Sequence, residues 1–240
     1  MKQSRIFAGA ACAALASAAG FAYAWTAPGH IVLRPHLIMA DTLRDKSIPL
    51  TGTWQVDPWH TSAVFQIRHM GLSNVQGRFD NITGTVVANE ADPSQSSVQV
   101  TIPTASIDTD VKMRDDDLRS PHYFDADKYP NITFQSTSIS HKHGSRYIAV
   151  GDLTIHGVTK EISLPFEIYG PIKDPFGSPR FGLSTEITLD RLDYGVGAGD
   201  VLAGGQLAEG QEVPIKINLE AIPPAPPTPA PAPVAAPSTP

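Results

Sequence analysis

Eight histidines and several acidic clusters are the residues in this chain whose types could do chemistry. His141 and His143 flank Lys142, and in an extended strand that spacing puts both rings on one face. A structural zinc site wants further His or Cys ligands at recognisable spacing, and neither H-x-x-x-H nor C-x-x-C occurs. These two read as solvated residues near a turn. The run Asp115-Asp116-Asp117 is acidic enough for calcium but lacks the loop glycine and terminal glutamate of an EF-hand. On a helix its carboxylates spread around the cylinder, so it reads as a first turn favoured by the helix dipole. There is no G-x-S-x-G. The glycines at 195, 197, 199, 204 and 205 are not followed by Lys-Ser or Lys-Thr, so they form no phosphate loop and read as a mobile connection. No catalytic residue and no metal ligand is expected. His60, His69 and His156 remain the histidines of interest, and His69 shares a strand face with Phe65 and Ile67.

Composition narrows the compartment and the partners. Lys2 and Arg5, the Ala-rich run Ile6–Gly20 and the small-x-small site Ala22-Tyr23-Ala24 have the order of a cleaved secretory signal. The run is shorter than the about 20 residues that span a bilayer. Export to a bacterial periplasm is the expectation, with the mature chain starting at Trp25. The one cysteine, Cys12, lies within that signal, so the mature chain would hold no disulfide and must stand on its core. Without Lys2 and Arg5 the net charge falls from −6 to near −8, which argues against a nucleic-acid partner.

The elements that position these residues are mostly strands. Apolar residues alternate at 63, 65 and 67, at 98, 100 and 102, at 132 and 134, at 148 and 150, and at 162 to 168. Further stripes run over 181 to 189 and 213 to 219. Turn residues punctuate them at Asn81–Gly84, Lys142–Ser145, His156-Gly157 and Pro175–Gly177. One helix is expected over Val111–Ser120, capped by Asp108 or Thr109 and stopped by Pro121. Eight or so antiparallel strands with one helix fit an up-and-down barrel or a sandwich, and composition does not choose between them. The chain divides into a signal peptide (1–24), a spacer (25–50) that docks on the domain or hangs free, a β domain (51–222) and a Pro-rich tail (223–240). The tail is expected to be extended and solvated.

Four blocks together carry a family resemblance. They are W-Q-V-D-P-W-H-T-S-A-V-F-Q-I-R-H-M-G-L-S at Trp54–Ser73, R-D-D-D-L-R-S-P-H-Y-F-D-A-D-K-Y-P-N-I-T-F-Q-S at Arg114–Ser136, G-D-L-T-I-H-G-V-T-K at Gly151–Lys160, and F-G-L-S-T-E-I-T-L-D-R-L-D-Y-G-V at Phe181–Val196. In this order they resemble the YceI-like family of secreted, lipid-binding β-barrels. The resemblance implies an all-β fold, an antiparallel eight-stranded lipocalin-like barrel with one short helix. It also implies a long-chain amphiphile as ligand: a polyisoprenoid, an isoprenoid quinone or an acyl lipid. His60 and His69 match histidines of the family's first block, and Arg114 and Asp115 match its Arg-Asp pair, expected to pair with each other or to close a barrel end.

The expected function is therefore sequestration or carriage of an amphiphilic lipid, without enzymatic activity or a required cofactor. A transient membrane contact is expected, and the oligomeric state stays open, a dimer being one option. The alternative is an envelope-stress or redox accessory protein that works through a surface partner, with any lipid structural. Alternation nominates Phe65, Ile67, His69, Val100, Ile102, Phe134, Val150, Leu164, Phe166, Leu183 and Ile187 as the ligand-binding lining.

Overall fold

Eleven strands and a single α-helix are seen in the computed structural model, which describes residues 44–225. The strands are β1 (Gly52–Val56), β2 (Ser62–His69), β3 (Ser73–Phe79), β4 (Thr83–Ala88), β5 (Ser97–Pro103), β6 (Ile107–Asp108), β7 (Asn131–His143), β8 (Arg146–Ile155), β9 (Val158–Lys173), β10 (Pro179–Asp190) and β11 (Glu212–Ile222). The helix α1 spans Lys112–Arg119, between β6 and β7. Pairing reduces eleven strands to eight. β1 and β2 both lie along β11, at Gln55↔Ile222 and Phe65↔Ile215, so they are two halves of one bent strand. β3 and β4 face those halves in turn, and β5 and β6 face β4 and β3. With β7 to β11 these three bent strands close an antiparallel meander on itself through β5–β7 and β1–β11, so the sandwich is excluded.

The bends are where the sequence departs from plain alternation. Asp57-Pro58 breaks the first strand. The second bends at Asp80–Ile82, overlapping the turn residues expected at Asn81–Gly84, and Ile82 is buried in the core. The hairpins expected around Gly144, Gly157 and Gly177 do form, and each of those glycines has positive φ.

One end of the barrel is filled. Leu50, Trp54, Val56, Ile82, Val86, Phe181, Leu219 and Ala221 form one buried cluster. Trp54 meets Phe181 edge to face at 4.9 Å, and its Nε1 donates to the Leu50 carbonyl at 2.8 Å. Ile48 and Leu50 are buried, so the last residues of the spacer do dock on the domain. Phe134, Ile139 and Ala149 continue the filling, with Tyr147 stacked on Phe166 at 5.5 Å. The signal-peptide assignment, the spacer up to residue 43 and the tail from residue 226 lie outside the described residues.

The helix matches its expected bounds to within a residue at each end, but its cap differs. Val111 is the N-cap and supplies no side-chain bond. Buried Asp115 reaches back instead, and Thr109 donates to it from both its backbone N (2.8 Å) and Oγ1 (2.5 Å). Arg114 also turns to Thr109, donating from Nε to Oγ1 and from Nη2 to the carbonyl, each at 2.7 Å. The Arg-Asp pair thus grips one threonine from two sides and fixes the helix over the barrel end.

Candidate functional site

Above the filled end the barrel is hollow. A cavity of about 750 Å³ opens at the end where α1, the β2–β3 turn and the connection after β10 meet. This lies within the range of about 300–1,000 Å³ usual for small-molecule sites. At the roughly 30 Å³ that a water takes in the liquid, a size close to a methylene, it has room for about 25 such groups.

The wall is built by cross-strand neighbours. Ile187 of β10 pairs with Ile215 of β11, Ile215 with Phe65 of β2, and Phe65 with Gly77 of β3. The ring of Phe65 occupies the space a side chain at 77 would need, since a Cβ there would lie 2.3 Å from its Cζ. Gly77 therefore lets Phe65 lie flat against the wall, and the cavity stays open. Ile102, Ile132, Leu153, Ile162 and Leu164 supply the opposite wall.

Of the eleven nominated residues, Phe65, Ile67, His69, Ile102, Leu164 and Ile187 line this cavity. Val100, Phe134, Phe166 and Leu183 are on the inner face but one level too deep, inside the packed end. Alternation gives the face of a strand and not the height along the barrel axis. Val150 is on the other face. In β8 the inward positions are 147, 149, 151, 153 and 155, with Ala149 buried in the core and Leu153 in the cavity wall. Val150 falls between them and pairs with Ser163, an exposed residue of β9. The stripe at Ile148 and Val150 misled because Gly151 interrupts the inward series and leaves the outward series looking the more apolar.

The mouth carries residues that the sequence reading did not nominate. Arg191, 7% exposed, donates to the carbonyls of Gly210, Val196, Ala198 and Glu209. It gathers the glycine-rich connection around itself, and backbone bonds from Met70 to Ala208 and from Gly210 to Arg68 tie the segment expected to be mobile to β2 as well. Tyr123, Tyr194 and Glu209 also face the cavity. Burial pushes the Tyr123 phenol up, and the carboxylates of Glu209 and Asp117 push the same way. Burial likewise raises Tyr194, with Asp193 adding to it. An arginine directly after a strand and before a glycine-rich stretch was the available signal for this anchor.

His156 is a positioning residue of the same region. It takes positive φ in the β8–β9 turn, meets the Tyr129 ring at 4.6 Å, and its Nδ1 lies 3.3 Å from the Tyr194 carbonyl. His141 is exposed and bonds the Gly144 carbonyl at 2.8 Å through Nε2. His60 sits far from the mouth, with Asp57 at 2.9 Å and Glu220 at 4.0 Å. The three could offer a cation one ligand atom each. Arg180 already serves both acids, at 2.6 Å from Asp57 and 3.3 Å from Glu220, and would repel a metal ion placed among them.

A closed meander barrel, filled at one end and hollow and apolar at the other, defines the class: a barrel with an internal small-molecule cavity. The chain belongs to the YceI-like family, whose domain model matches residues 54–221. It is 35% identical over 184 residues to a UPF0312 protein of Photorhabdus laumondii, covering 75% of this chain and 91% of that one. Its fold resembles BcnA of Burkholderia cenocepacia, with a TM-score of 0.60 at 27% identity, covering 69% of this chain and 98% of that one. It also resembles a polyisoprenoid-binding domain from Saccharophagus degradans, with a TM-score of 0.56 at 16% identity, covering 71% and 98%.

Proposed function

We propose that this protein is an exported, periplasmic binding protein that carries a long-chain amphiphile with its apolar tail inside the barrel. The observation that carries the reading is the open cavity with its wall of Ile, Leu and Phe side chains. Each methylene moved from water into such a wall contributes about 0.8 kcal/mol. About twenty carbons then give roughly 16 kcal/mol gross, against an association cost on the order of 4–15 kcal/mol. The tail alone can support useful affinity, and the protein needs an apolar tunnel rather than a catalytic group or a cofactor. The polyisoprenoid-binding domain of similar fold supports this ligand class. Leu72 and Met113, 77% and 82% exposed beside the mouth, suit a transient contact with a membrane during loading.

Mass spectrometry of the organic extract from protein purified out of its own envelope tests the reading, followed by exchange against vesicles. A carrier yields one amphiphile class that exchanges. A chain that yields none, and takes up none from vesicles, overturns it.

A second reading, a surface-acting accessory protein, has one feature in its favour. Trp59 and Phe176 are 90% and 94% exposed on two turns held together by Arg180, which binds Asp57 and Asp174. Lipid that does not exchange with vesicles would favour it.

A further inference from the structure

The polar groups at the cavity mouth divide into those already committed and those still open. Arg191 spends Nε, Nη1 and Nη2 on backbone carbonyls. Arg114 spends Nε and one N–H of Nη2 on Thr109 and keeps the other N–H of Nη2 and both on Nη1. Thr109 in turn is spent on Asp115. A phosphate or diphosphate head is held by several N–H donors aimed at it. Here Arg191 has no donor to spare, since freeing it would orphan the carbonyls that hold the connection in place, and only Arg114 keeps N–H groups, beside the carboxylate of Asp117.

What is left open is of the opposite kind. The side chains of His69, Asp117, Tyr123 and Glu209 all face the cavity, and none makes a hydrogen bond to another residue among the described residues. His69 and Glu209 are opposite each other in an isolated antiparallel bridge, which puts their side chains on one face. Glu209 lies 4.0 Å from Arg191, and Gly197 brings Arg191 and the Tyr123 ring together, since a Cβ there would lie 2.7 Å from Nη1 and 2.9 Å from the ring. Around one opening there are thus two carboxylate acceptors, a phenol that can donate and an imidazole that can do either. Burial is the main cause of the raised Tyr123 phenol, and Glu209 and Asp117 add to it against the opposing pull of Arg191.

We infer that this collar is a head-group subsite selective for an uncharged hydroxyl-bearing head, an alcohol, phenol or quinol, and that Asp117 and Glu209 exclude phosphorylated forms of the same lipid. A hydroxyl both donates and accepts, so it can give its proton to a carboxylate while accepting from Tyr123. A phosphate brings charge of the same sign and only acceptors, and would leave the carboxylates unpaired beside it. The inference rests on the carrier reading, because the subsite has meaning only if a tail occupies the tunnel.

The test measures binding of geranylgeraniol, geranylgeranyl phosphate and the headless hydrocarbon phytane to the delipidated full chain and to an Asp117→Asn/Glu209→Gln variant. The expected result is that wild type binds the alcohol at least about tenfold more tightly than the phosphate, roughly 1.4 kcal/mol. In the variant the gap closes through tighter phosphate binding, while phytane binds both proteins alike. Phosphate bound as tightly as the alcohol by wild type, or a gap that the variant leaves intact, overturns the subsite. Failure of all three probes to bind wild type overturns the carrier reading instead.

Discussion

At the scale of single residues, two substitutions separate packing from charge. Gly77→Val would drive the Phe65 ring off the wall, because the new Cβ would lie 2.3 Å from its tip. The ring end can swing into the cavity, so the fold should survive while long-chain ligand uptake falls several-fold. Thermal melting and ligand titration of the same sample check both halves. Arg180→Ala removes the cation shared by Asp57, Asp174 and Glu220. Asp174 is held below the usual carboxylate range chiefly by its bond to Arg180. In Asp57 burial opposes the shift, and the bonds to His60 and Arg180 overcome it. Carboxyls depressed in the folded state contribute stability that is complete above their unfolded pKa and lost as pH falls through the folded one. The variant should lose on the order of 1–2 kcal/mol near neutral pH, since it takes the guanidinium from the buried Asp57 carboxylate. It should also begin acid unfolding at a higher pH than wild type, and tryptophan fluorescence across an acid titration reads the shift.

At the scale of elements, the connection from β10 to β11 is gathered by one side chain, beside backbone bonds from Met70 to Ala208 and from Gly210 to Arg68. With Arg191 replaced by alanine, the carbonyls of Val196, Ala198, Glu209 and Gly210 lose their donor. Hydrogen exchange should then quicken between residues 196 and 210 while the amides of β7 to β9 keep their protection. Equal exchange in both proteins would show that the connection holds without its anchor. Nothing in a hydrophobic pattern reports a buried arginine facing carbonyls, which is why the glycines read as a mobile segment. The strands themselves were legible, because most of them bury one face and wet the other. The exception is instructive. In β8 the inward series contains Gly151, and the side chain absent there made Ile148 and Val150 look like the core stripe.

At the scale of the whole molecule, eight-strand closure was reached through family resemblance and not through periodicity. Alternation cannot distinguish a barrel from a sandwich, because both bury one face of each strand. Nor can it tell the filled end from the hollow one. Val100, Phe134, Phe166 and Leu183 carry the same pattern as Phe65, Ile102, Leu164 and Ile187, and what separates them is the bulk of Trp54, Phe181 and Tyr147 packed at their level. Carriage of an amphiphile therefore requires that the hollow end take a tail. The direct test is native mass spectrometry of the delipidated chain with geranylgeraniol, run on wild type, Ile187→Arg in the cavity wall and Val150→Arg on the outer face. Wild type and Val150→Arg should each take one ligand per chain. Ile187→Arg, which would place an unpaired charge in an apolar tunnel, should remain empty once circular dichroism has confirmed its fold. An empty wild type, or a folded Ile187→Arg chain that fills as wild type does, would contradict the account.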